Sequence, residues 1–180
     1  MAQMDLRSVL LEIHAALREA SVAHALIGGL ALAAHGAGRA TADLDLLADG
    51  DRSDDVDRIL GERGYERLHR TQNLANYAAA TPARGRVDFL FARRTYARAM
   101  LERATPHTIL GAAIPVADAS DLIGLKVQSS SNDPSRRYLD LADIDRLLRS
   151  ATIDLARVRE YFRLFDREKD LDALLSERGR

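Results

Sequence analysis

The stretch Asp43-Leu-Asp-Leu-Leu47 constrains this chain more than any other. Polar and apolar residues alternate, which predicts a strand over 42–47. On a strand, Asp43 and Asp45 point to one face while Leu44 and Leu46 point to the other, into a core. Two carboxylates held a few ångströms apart repel each other. At ~4 Å the cost is about 1 kcal/mol in water and several times that in a partly buried site. A divalent cation removes the penalty, and a site made only of oxygens suits magnesium. The bare Asp-x-Asp spacing also describes two aspartates capping a solvated strand end, so the neighbouring residues decide between the two readings.

Upstream, His24-Ala-Leu-Ile27 is a short apolar strand, and Gly28-Gly29 follows it directly. Paired glycines allow a tight turn that brings backbone N–H groups close to an anion, although a plain strand-to-helix turn needs them too. Residues 30–36 read as a short buried helix. Arg39 offers forked donors to phosphate oxygens and Thr41 offers a hydroxyl; an isolated arginine is also an ordinary surface residue. A third carboxylate, Asp88, stands inside the apolar run Val87-Asp-Phe-Leu-Phe91. If it is buried there it must be paired or liganded, and otherwise it faces water from an edge strand.

Around this segment the periodicity predicts helices over 4–20, 51–63 and 94–103, and strands over 65–69, 74–80 and 86–91. A strand pair over 107–110 and 113–116 follows, with Pro115 placing it near a sheet edge. From Asp118 the chain reads as helical: 118–129, then a serine-rich loop, then 136–149, 153–165 and 168–177. The sum is an α+β fold, with a mixed sheet in residues 1–117 and a C-terminal helical part over 118–180 that packs on it as one structural unit. The 180 residues suit such a size, and 26 basic against 27 acidic residues argue against a surface coated in nucleic acid by bulk charge. The absence of cysteine removes disulfides and thiolate chemistry, and no apolar run approaches the ~18 residues of a membrane helix. With no signal-peptide pattern at its start, the chain is expected to be cytoplasmic and without a membrane partner. His14, His24, His69 and His107 are scattered with no metal-ligand spacing, and His35 reads as a packed helix-end histidine.

Gly28-Gly29, then Arg39-x-Thr41-x-Asp43-x-Asp45, then Asp88 on a later strand, resembles the DNA polymerase β-like nucleotidyltransferase superfamily. The nearer likeness is to AbiEii-type toxins of abortive-infection and toxin–antitoxin systems. It extends from residue 24 to about 148, because Lys126, then Arg136 or Arg137, then Asp140-Leu-Ala-Asp143 is similar to the lysine helix, basic residue and D-x-x-D segment of those toxins. Two features depart from the pattern. Many catalytic members carry Gly-Ser where this chain has Gly28-Gly29, so one hydroxyl for the triphosphate is missing. The basic residue after Lys126 is displaced by the serine-rich loop, which leaves Arg136 and Arg137 both open.

The resemblance implies a nucleotidyltransferase fold in which Asp43, Asp45 and Asp88 hold Mg2+ and carry catalysis, with Asp88 as general base. It implies that Gly28, Gly29, Arg39, Thr41, Lys126 and Arg137 bind the nucleotide. The reaction would move an NMP from an NTP to an acceptor hydroxyl on tRNA or protein, and an antitoxin would be a partner. A non-catalytic nucleotide-binding or interaction protein is the alternative. Transfer to a small molecule such as an aminoglycoside ranks lower, because the chain looks short of a dedicated acceptor domain. Asp140 and Asp143 either orient Lys126 or Arg137 or simply cap and solvate their helix, with solvation expected. The arginines at 84, 86, 93, 94, 98 and 103 read as a charged surface rather than an RNA groove.

Overall fold

The computed structural model describes residues 4–178. Two compact units emerge, one comprising the chain up to Ala34 and from Gly38 to Ala117, the other His35–Ala37 and the chain from Asp118 onward. In the first unit the described residues form one mixed sheet of seven strands. Its strands are β1 (His24–Ile27), β2 (Asp43–Asp49), β3 (Tyr65–Arg70), β4 (Leu74–Ala79), β5 (Arg86–Ala92), β6 (Thr105–Ile109) and β7 (Ala112–Val116). The order across the sheet is β3-β4-β5-β2-β1-β7-β6. Strands β2 and β5 run parallel at the centre, and β1 and β4 flank them antiparallel. The hairpin β6–β7 closes one side, so Pro106 lies on an edge strand and Pro115 on its neighbour, where a missing N–H is tolerated.

Helix α1 (Leu6–Glu19) starts at Asp5, whose carboxylate accepts from the Ser8 backbone N–H at 3.1 Å. Val9, Leu10, Ile13 and Leu17 form its buried stripe. Helix α2 (Gly28–Ala34) begins two residues earlier than the periodicity suggests, so the glycine pair is its first turn. Next come α3 (Ser53–Glu62), preceded by a short 3-10 turn, and α4 (Thr95–Arg103). Alternation on the central strands is strict where it matters. Leu44, Leu46, Val87 and Phe89 are buried, while Asp43, Asp45 and Asp88 between them are only half-buried. Tyr77 and Phe89 meet edge to face with ring centroids 6.0 Å apart, which anchors β4 to β5 from the core side.

The second unit holds α5 (Ala119–Asn132), α6 (Arg137–Ser150), α7 (Leu155–Leu164) and α8 (Glu168–Arg178). Of the serine-rich stretch expected to be a loop, residues 129–132 are instead the last turn of α5, and the chain leaves the helix at Asp133. The Ser130 and Ser131 hydroxyls donate to carbonyls of the preceding turn, at 2.9 Å to Lys126 and 2.7 Å to Val127. Serines that bond back along the helix need not compete with it. Arg167 then donates to the Ser130 hydroxyl at 2.8 Å. No helix among the described residues is long and apolar enough to cross a membrane.

Two histidines that looked scattered in the sequence meet in the core. His24 Nδ1 lies 2.8 Å from the Val22 carbonyl, and His14 Nδ1 lies 2.8 Å from His24 Nε2. The carbonyl only accepts, so His24 carries its proton on Nδ1 and His14 donates to the bare Nε2. Desolvation pushes both imidazoles below the usual histidine range, with each ring's neighbouring positive charge adding to it and the Val22 contact opposing it at His24. A fold that prefers neutral imidazoles is outcompeted for protons by the unfolded chain once the pH drops below ~6.5. Thermal stability should therefore fall between pH 7.5 and 5.5, and His24→Gln should flatten part of that slope in melting curves followed by circular dichroism.

Candidate active site

The register of the sheet builds the site. Asp45 on β2 stands opposite Asp88 on β5, Asp88 stands opposite Asn76 on β4, and Ile27 on β1 stands opposite Asp45. These four residues form one rung across four strands. Asp43 lies two residues along β2, paired with Arg86. Adjacent strands are ~4.8 Å apart and residues i and i+2 about 6.7 Å, so the three carboxylates occupy neighbouring places on one face. None is fully buried, which leaves that face open while the leucines, Val87 and Phe89 fill the other.

Gly28 explains how Asp45 comes so close to the turn. Its φ is +66°, a conformation that side chains rarely adopt. A Cβ there would sit 1.9 Å from Asp45 Oδ2. The carboxylate therefore fills the space where any other residue would carry its side chain. Gly29 stands in the same relation to Thr41: a Cβ would lie 2.5 Å from Thr41 Cβ and 2.7 Å from its hydroxyl. The Thr41 hydroxyl also donates to the Asp43 carbonyl at 3.3 Å, which ties the 35–42 segment to the start of β2. Arg39 donates to the Ala40 carbonyl at 3.2 Å.

Asp88 accepts from the Asn76 side-chain amide at 2.8 Å, with the Arg86 guanidinium 3.7 Å away on the same oxygen. Sequence reasoning missed Asn76. The available signal was its position in Leu-Ala-Asn-Tyr-Ala, one polar side chain on the alternate face of an apolar strand.

The carboxylates do not close into a cage. Among the described residues, no three His, Cys, Asp or Glu side chains are grouped so as to hold a metal ion by themselves. Magnesium rarely needs such a cage, since it keeps several waters and is bound by one or two carboxylates together with substrate phosphates. The oxygen-only donors on one open face fit an ion that arrives with a nucleotide.

In the second unit, Lys126 is held rather than free. Its Nζ lies 3.0 Å from Asp140 Oδ1 and 2.7 Å from Asp143 Oδ2, and both aspartates are wholly buried. The expected solvated helix face is thus a buried ionic cluster, because Asp140 and Asp143 sit one turn apart and both meet the lysine. Arg146 pairs with Asp143, and Arg136 approaches Asp140 Oδ2 at 3.6 Å. That Oδ2 is buried without a hydrogen bond. Arg137 donates to both oxygens of Asp170, at 2.9 and 3.1 Å. Several of the arginines read as surface are also paired with acids, Arg84 with Glu12 and Arg98 with Asp51.

Solved structures of nucleotidyltransferases and antibiotic-resistance factors share this fold. The antibiotic-resistance factor ANT(2'')-Ia aligns over 96% of this chain and 96% of its own, with 14% identity and a TM-score of 0.67. The same factor in complex with adenylyl-2''-tobramycin gives 0.65 at 15% identity, over 89% of this chain and 96% of its own. The lincomycin-bound lincosamide antibiotic adenylyltransferase LnuA gives 0.60 at 15% identity, over 84% of this chain and its full length. At these identities the likeness is one of fold. The chain belongs to the family described as uncharacterised nucleotidyltransferases, whose profile matches residues 1–176. No curated protein is significantly similar in sequence. In span, this chain covers 96% of ANT(2'')-Ia.

Two stability measurements check the packing. Lys126→Met should cost about 3–5 kcal/mol in denaturant unfolding, since it removes the shared cation of two buried carboxylates and leaves Asp140 with only the Arg136 guanidinium at 3.6 Å. Gly29→Ala should cost about 1–3 kcal/mol through the collision with Thr41, and Thr41→Gly in that background should return part of the loss.

Proposed function

We propose that this protein transfers the NMP of an NTP to a hydroxyl of an acceptor, releasing pyrophosphate. The register that sets Asp45 beside Asp88, with Asp43 two residues along, carries this reading, and the family supports it. Asp43, Asp45 and Asp88 are the residues that would hold Mg2+. When bound, the ion would neutralise phosphate charge and lower the pKa of the attacking hydroxyl. Asp88 takes the proton of that hydroxyl as general base. The acceptor oxygen forms a bond to the α-phosphorus, the bond from that phosphorus to the bridging oxygen breaks, and pyrophosphate leaves. Gly28 and Gly29 present backbone close to the phosphates, and Arg39 and Thr41 supply further donors. Lys126 and Arg137, which the resemblance offers as cations for the triphosphate, are engaged with Asp140 and Asp143 and with Asp170 respectively.

For the acceptor, the fold relatives favour a small polar molecule bearing a hydroxyl. Proteins of this fold and span include adenylyltransferases bound to lincomycin or to an adenylylated aminoglycoside. The AbiEii-like sequence pattern favours tRNA or a protein as acceptor, a toxin role, an antitoxin partner and a cytoplasmic setting where NTPs are supplied. The near-neutral charge and acid-paired arginines weigh toward the small molecule.

The test is incubation with Mg2+ and each α-32P-labelled NTP, against total tRNA, a protein extract and a panel of aminoglycosides and lincosamides. Label should move to one acceptor class and pyrophosphate should appear. Asp45→Ala should lower the rate at least ~1000-fold while the melting temperature stays within a few degrees. Absence of transfer from all four NTPs, together with absence of NTP binding in calorimetry, would sink the reading.

A further inference from the structure

We propose that Asn76 is a positioning residue, which fixes the rotation of the Asp88 carboxylate and so presents Oδ2 to the ion and the attacking hydroxyl. This rests on the function proposed above, in which Asp88 is base and ligand. Asn76 lies on the same rung as Asp88 and Asp45, with Asp88 between them. On β4 the side chains sharing its face are Leu74 and Ala78, so it is the sole polar group that this strand offers there. Its amide nitrogen lies 2.8 Å from Asp88 Oδ1. A carboxylate only accepts, so the group facing it is the NH2 and the amide orientation is chemically fixed.

Both contacts of the Asp88 carboxylate, the Asn76 amide and the Arg86 guanidinium at 3.7 Å, fall on Oδ1. The terminal torsion of an aspartate is broad and close to two-fold, so without an anchor either oxygen can occupy either place. A donor on the β4 side removes that freedom and leaves Oδ2 for chemistry. A neutral amide does so without cancelling the negative charge, as an arginine or lysine at position 76 would. Partners of metal-binding carboxylates typically change metal affinity or activity 10–100-fold when removed.

The experiment measures binding rather than turnover. Mn2+ is titrated into wild type, Asn76→Ala and Asn76→Ser by electron paramagnetic resonance, with the α,β-methylene analogue of each of the four NTPs in turn. Melting temperatures of all three proteins are recorded alongside, and the serine variant carries the comparison if the alanine variant fails to fold. Asn76→Ala and Asn76→Ser should weaken Mn2+ binding roughly 10–100-fold. Wild-type affinity in the Ala and Ser variants overturns the role of Asn76 while leaving the proposed function standing. If wild type binds no Mn2+ with any analogue, the proposed function itself fails and this inference falls with it.

Discussion

The parallel pairing of β2 with β5 is the constraint on which the candidate site depends. It sets seven consecutive residue pairs in step, from Asp43 opposite Arg86 to Asp49 opposite Ala92. A slip of one residue would turn Asp88 into the core and bring Val87 or Phe89 to the open face. The buried side chains prevent that slip. Leu44, Leu46, Val87 and Phe89 each lose burial worth about 1.5–3 kcal/mol if the register moves. The apolar face thus holds three like charges together without touching them. The core sets the placement of the carboxylates.

Much of this was legible in the sequence because it follows from periods of two and of three to four. The alternation at 43–47 announced which face Asp43 and Asp45 share, and the glycine pair announced a backbone close approach. What it could not announce was the object approached. That Gly28 makes room for Asp45, and Gly29 for Thr41, depends on pairings across 12 or more positions that no local pattern encodes. Asn76 was hidden for the same reason, since its significance lies in a strand partner rather than in its neighbours along the chain.

Where the reading went wrong, local chemistry misled it. The serines after Gln128 looked like a loop, because serine usually competes with the helix for backbone hydrogen bonds. Here the hydroxyls bond back to the same helix, and Arg167 uses one of them as an acceptor. Asp140 and Asp143 looked solvated because their spacing is that of any charged helix face. Their burial follows from Lys126, 14 residues before Asp140, which turns a surface-like pattern into an internal ion cluster. The histidines were similar: 10 residues apart with no ligand spacing, they are joined by a strand laid against a helix.

The Gly28–Asp45 contact makes position 28 answer to position 45. The carboxylate occupies the volume that a side chain at position 28 would need, so position 28 cannot take a side chain while the acid stays. A library randomised at position 28 alone should return glycine almost exclusively. One randomised at both positions would open other solutions only by giving up the acid on β2. Among relatives of this chain, a side chain at residue 28 should then report that the acid at 45 has been lost.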